Sequence, residues 1–119
     1  MNCADERLQD FVRLFNSKHF FEAHEVLEGL WLDSEGEAKE FYRGLVQCAV
    51  AFAHLQRGNL SGAKRLHARS AGYLTRYPSQ YLGINTSRLM EEVDAFFANL
   101  GSESDLDWKK APVILWSEA

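Results

Sequence analysis

The stretch Phe20-Phe21-Glu22-Ala23-His24-Glu25-Val26-Leu27-Glu28-Gly29-Leu30-Trp31 decides how this chain reads. At about 100° per residue it is an amphipathic helix, with Phe20, Ala23, Leu27, Leu30 and Trp31 gathered on one side. His24 and Glu28 fall at the edge of that side, one turn apart. An ordinary amphipathic helix places apolar residues there. Two ionisable groups at the rim of a core therefore mark a candidate site.

The pattern extends outward in both directions. Leu8, Phe11, Val12 and Phe15 repeat at helical spacing, behind the acids Asp5 and Glu6, which favour a helix N-terminus. This predicts a first helix over residues 5–15 and a short turn at 16–18. The motif helix follows at 19–32, then a polar connection at 33–37. Residues 38–57 are apolar around most of a helical circumference, which predicts a central, buried helix. Its narrow polar stripe is Arg43, Gln47 and His54, flanked by the small Gly44 and Ala51, which allow a neighbouring helix to approach closely.

Gly58 reads as a helix stop and Asn59 as the next cap. A helix over 60–77 turns Ala63, Leu66, His67, Ser70, Tyr73, Leu74 and Tyr77 inward. Arg65, Arg69 and Arg76 lie outward with Gly62 and Gly72, and Pro78 ends the helix. Residues 78–85 read as a loop. Residues 86–100 read as a last helix, with Leu89, Val93, Phe96, Phe97 and Leu100 inward and Gly101 closing it. A polar, acidic stretch at 102–111 precedes the apolar segment 112–116, which reads as an extended strap over the bundle. The expected fold is all-α: a single-domain antiparallel helical bundle of about five helices spanning 1–119, with an extended C-terminal tail.

Composition supports that class: 119 residues, 46% apolar and 25% charged, fit one soluble domain with a sizeable core. The most apolar run, 44–55, is too short to cross a bilayer and contains Gln47 and His54, so no membrane partner is expected. The first residues lack a signal-like pattern, and Cys3 and Cys48 make no ligand spacing. A cytoplasmic location is the expectation, with Cys48 a small buried residue. Charge is unevenly spread. Residues 1–40 carry ten acids and four bases, 41–90 carry seven bases and no acid, and 91–119 carry seven acids and two bases. A basic middle packed between acidic neighbours explains this simply. The net charge of −4 weighs against a nucleic-acid partner.

His24-x-x-x-Glu28-x-x-Trp31, then Gly44-Leu45-Val46-Gln47 running on to His54, then Gly58-Asn59-x-x-Gly62-Ala63, resemble the DUF309 family of small bacterial and archaeal helical proteins of unknown function. The likeness covers about residues 11–90. It implies an all-helical bundle and suggests a metal-binding role for the positions His24, Glu28 and Trp31. Lys18 departs from the pattern, since relatives often place glycine in that turn.

Four readings of the chemistry stay open. His24 and Glu28 at i, i+4, with His54 from the central helix, would offer three ligands to a divalent metal ion, as facing helices of bundles do. The same groups, with Trp31, Arg43 and Gln47, would equally form a polar network that is only architectural, in an interaction module. A metal-free ligand or catalytic pocket is the third reading, and an anion or RNA site on the Arg65/Arg69/Arg76 face is the fourth. His24-Glu25-x-x-Glu28 is not a zinc-peptidase motif, because its last position is Glu. No nucleophile triad or phosphate loop is present, and the sequence names no reaction. A homo-oligomeric or protein partner is left open.

Overall fold

The computed structural model describes residues 5–100 and 107–116. Five α-helices lie among them: α1 (Glu6–Asn16), α2 (Phe20–Leu32), α3 (Gly36–Gln56), α4 (Leu60–Leu74) and α5 (Thr86–Ala98). Helix α3 packs against both α2 and α4, and α1 packs against α2. The all-α bundle expected from the apolar periodicity is the fold. No helix among the described residues is long and apolar enough to cross a membrane.

The core is largely aromatic. Phe15, Phe20 and Phe52 are fully buried, with Phe15 edge-on to Phe20 at 5.0 Å and Phe20 stacked on Phe52 at 5.1 Å. Phe52, near the C-terminal end of α3, also meets Phe96 and Phe97 of α5 at 5.5 and 5.4 Å. One ring thus joins α1, α2, α3 and α5, and such pairs contribute about 0.5–1.5 kcal/mol each beyond area burial.

Two helix ends use the same backbone device with different residues. After α3, the Gly58 N–H donates to the Leu55 carbonyl and the Asn59 N–H to the His54 carbonyl, with Gly58 at φ 78°. After α1, the Lys18 N–H donates to Phe15 and the His19 N–H to Leu14, with Lys18 at φ 65°. Both are Schellman caps, in which a left-handed residue lets two otherwise unpaired carbonyls accept. Glycine takes that conformation without a Cβ penalty, and lysine does not. The Gln56 amide donates to the Lys18 carbonyl at 2.9 Å and braces the strained turn.

Helix α4 ends at Leu74, earlier than the expected residue 77. Thr75 caps it, and its hydroxyl donates to the Ala71 carbonyl at 2.8 Å. Residues 78–85 are not a simple loop. β1 (Gln80–Tyr81) and β2 (Ile84–Asn85) form an antiparallel hairpin. Its two-residue turn, Leu82-Gly83, has φ of 50° and 84°. Positive φ at both positions matches the twist of a tight hairpin, but leucine is not the residue that normally announces one.

The tail lies as an extended strap. Trp116 bridges to Ile84, and the Leu115 carbonyl accepts from the Asn85 N–H. Asn16, at the end of α1, holds the Ile114 backbone from both sides, donating to its carbonyl at 2.9 Å and accepting from its N–H at 2.7 Å. Ile114 is buried, and Trp108, in a short 3-10 turn (Trp108–Lys110), lies 6.0 Å from Phe20. The expected closing role of Gly101 lies outside the described residues.

Candidate functional site

Helix α2 sets His24 at the edge of the core, as its phase requires, but the side chain turns back on its own helix. Nδ1–H of His24 donates to the Phe21 carbonyl at 2.8 Å, and the ring lies 5.1 Å from Phe21. The neutral ring then presents Nε2 as an acceptor, an orientation common in metal-ligating histidines. Its expected companions do not join it. Glu28, one turn on, is exposed and makes no hydrogen bond or ion pair among the described residues. His54 belongs to the α3 C-terminus. Its Nδ1 accepts from the Asn59 amide at 3.3 Å, while the Asn59 carbonyl caps α4 by accepting from the Gly62 N–H at 2.9 Å. A metal site needs three or four donors converging at about 2 Å from the ion. Among the described residues no group of three or more His, Cys, Asp or Glu side chains is placed to hold one. The ligand set His24, Glu28 and His54 therefore has no geometric support, and no chemistry is derived through a metal.

The polar stripe of α3 has a different setting. Arg43 leaves α3 between two aromatic rings, its guanidinium 5.7 Å from the Trp31 ring of α2 and 5.1 Å from the Tyr73 ring of α4. Arg76 also reaches Tyr73, at 5.2 Å. Guanidinium–aromatic contacts of this kind are worth about 0.5–2 kcal/mol and hold a charged group in place without neutralising it. Arg43, Gln47, Arg69, Gly72, Tyr73 and Arg76 line one cavity of about 460 Å³. None of its three arginines has a carboxylate partner among the described residues, whereas Arg7, Arg13 and Arg88 all do. Arg65 lies on the same side of α4 but does not line the cavity.

Helix packing brings the two walls of this region together. At Gly44, an added Cβ would lie 2.9 Å from both Leu74 Cδ2 and Tyr73 Cβ. The absence of a side chain there lets α3 and α4 nearly touch, and the buried Ser70 hydroxyl donates to the Gly44 carbonyl at 3.0 Å. This contact brings Arg43 and Gln47 of α3 beside Arg69 and Tyr73 of α4 and Arg76 just beyond its end. Trp31 Nε1 and Gln47 Oε1 are buried without a hydrogen-bond partner among the described residues. Leaving such an atom unpaired costs about 1–3 kcal/mol.

Two other groups at the core are satisfied or silenced locally. His67, at the edge of the core, stacks on Phe97 at 4.2 Å and pairs with Asp94 at 2.7 Å. Cys48 points to the core side of α3, where burial pushes its thiol up to about 12. The expected outward position of Gly62 does not hold: Gly62 is buried beneath the Asn59 cap.

Sequence reasoning singled out Arg43 and Gln47 on one helix and Arg69 and Arg76 on another. The common cavity was not visible, because nothing in either helix alone fixes their relative rotation. The signal available was Gly44, whose lack of a side chain marks the close approach.

An all-helical bundle with a cationic cavity between its third and fourth helices is the class of protein defined here. Residues 8–66 match the family described as Domain of unknown function (DUF309), and the chain belongs to that family. It is similar to "Uncharacterized protein YpuF" of Bacillus subtilis, with 33% identity over 96 residues, 78% of this chain and 55% of that protein. It is also similar to an uncharacterized protein of Aquifex aeolicus, with 30% identity over 92 residues, 74% of this chain and 28% of that protein. The chain thus spans about half the length of the first relative and under a third of the second.

Proposed function

We propose that this chain binds a small anionic ligand in the cavity between α3 and α4. Arg43, Arg69 and Arg76 provide the charge there, Tyr73 and Trp31 hold Arg43 in place, and Gln47 lines the wall. One observation carries the reading: three arginines, one half-buried and two exposed, line one open groove and lack carboxylate partners among the described residues. Like charges brought together repel, and an anion accepting charge-assisted hydrogen bonds from them relieves that repulsion. The net charge of −4 opposes a long polyanion, so a small anion fits better than nucleic acid.

Titration calorimetry of the full chain with inorganic phosphate and with citrate, at low salt, tests the proposal. Saturable binding that weakens at least tenfold in the double variant Arg69→Gln/Arg76→Gln is expected. No binding, or binding unchanged by the double variant, would overturn it.

A further inference from the structure

We infer that the face shared by α2, α3 and α4 is a self-association surface, on which the exposed edge of α2 in one copy lies along the arginines of α4 in a second copy. This rests on the anion-binding reading in one respect: the same arginines serve both occupants, so a small anion and a second copy exclude each other.

Phe21, Glu25, Glu28 and Leu32 follow one another at spacings of four, three and four residues, which sets them in one line along α2. All are exposed, and Phe21 and Leu32, at 42% and 62%, are two of the four large apolar side chains open to water among the described residues. Glu25 and Glu28 make no hydrogen bond or ion pair among those residues. On the other side of α3, Arg65, Arg69 and Arg76 form a second exposed line, also without carboxylate partners among the described residues. An acidic edge with apolar ends and a basic edge thus border one face, with α3 between them.

The two lines are level. Helix α2 is antiparallel to α3, since Arg43 meets the Trp31 ring and Arg57 the Phe21 ring. Helix α4 is antiparallel to α3 as well, since Gly44 abuts Tyr73 and His54 reaches Asn59. Helices α2 and α4 therefore run parallel. Trp31 and Tyr73 sit at one height, because both rings hold the Arg43 guanidinium. Counting back from that height, Glu28 and Arg69 lie three and four residues away, and Glu25 and Arg65 six and eight. The acid and base of each pair thus differ in height by only about 1.5 and 3 Å.

A twofold axis lying on this face parallel to α3 keeps every height and exchanges one flank for the other. It places Glu25 and Glu28 of one copy over Arg65 and Arg69 of the second, with Leu32 beside Tyr73. In an isologous pair each contact occurs twice. An axis on the face but across α3 would lay α2 on α2 and α4 on α4, like charge on like. The charge pattern therefore selects both the occupant and its orientation. Exposed ion pairs contribute little each and are screened by salt, so the dimer is weak and forms in concentrated solution at low ionic strength.

Sedimentation equilibrium of the full chain at low salt tests this, with two charge-reversal variants, Glu25→Lys/Glu28→Lys and Arg65→Glu/Arg69→Glu. The substituted positions are exposed, and circular dichroism checks that each variant stays helical. We expect a reversible dimer of the parent, weakened by at least about tenfold in either variant alone. In an equimolar mixture of the two variants, acidic and basic edges match again on both sides and the dimer returns. A parent that stays monomeric, a dimer that either variant leaves intact, or a mixture that does not associate overturns the inference and leaves the anion site to its own test. Replacing chloride by phosphate at equal ionic strength separates the two readings. Phosphate dissociates the dimer where the groove binds it, whereas a dimer that weakens alike in both salts keeps the second copy and removes the small-anion reading.

Discussion

The polar edge of α2 and the arginine-lined cavity between α3 and α4 both place ionisable groups at the rim of one core. They differ in how those groups are compensated. On α2, His24 bonds to a carbonyl of its own helix and Glu28 is exposed, and the two are not paired with each other. Between α3 and α4, Arg43, Arg69 and Arg76 keep their charges without carboxylate partners, in a concave space bordered by aromatic rings. Several uncompensated like charges facing one space are what a ligand of opposite sign would relieve.

The comparison breaks most severely if the helix contact that builds the cavity is wedged open. Gly44→Val should destabilise the fold by about 3 kcal/mol or more, since overpacking against Leu74 and Tyr73 forces the helices apart. Urea unfolding would read this as a lowered midpoint with little change in slope. A midpoint within error of the parent would show that α3 and α4 do not meet closely there.

The core side of α3 gives a second contrast, through pH. Cys48 is protonated in the fold up to about 12, against 9.0 for an ordinary thiol. Between those values the unfolded chain has lost a proton that the folded chain retains, so stability is fully present below about pH 9 and falls as pH rises towards 12. In folded protein at pH 8 the thiol should resist a disulfide reagent, and it should react once urea unfolds the chain. Rapid modification of Cys48 in the native state would place it on an accessible face instead.

A third test sets the two sites directly against each other. Arg43→Gln should weaken anion binding about tenfold, or about 1.4 kcal/mol, by removing one charged donor. His24→Ala and Glu28→Gln should leave that binding within twofold. If Zn²⁺ raised the melting temperature of the tag-free chain and His24→Ala abolished the rise, the α2 edge would regain a role that its present geometry does not support.

The smallest effect concerns the two matched helix caps. Lys18→Gly should stabilise the fold by about 0.5–1 kcal/mol, because glycine adopts the left-handed cap without strain. A loss of stability would mean that the lysine side chain contributes more than its backbone costs.

The helices were legible in the sequence because burial imposes its period on the residues that make it. Leu8, Phe11, Val12 and Phe15 announce α1, and Gly58-Asn59 announces both an ending and a beginning. The hairpin at 80–85 was not legible, since its strands are two residues long and its turn is Leu-Gly. The α4 terminus was misplaced because the chain leaves the α-helical bonding after Leu74, with the Arg76 and Tyr77 N–H groups donating to Tyr73 and Leu74 three residues back, before Pro78 is reached. Of the candidate site, Arg43 and Gln47 were legible as a polar stripe on an apolar helix, Trp31 as part of the apolar side of α2, and Arg69 and Arg76 as an outward stripe.

By itself the sequence determined the helices, their apolar faces and the charge of the middle segment, because these follow from spacing along a single element. Only the tertiary structure decided which charges share a space. That depends on how α3 and α4 are rotated against each other, and the rotation is set by a contact at Gly44 between residues far apart in the chain. Periodicity reports which side of a helix is buried, but not what the partner helix brings to the other end of the contact.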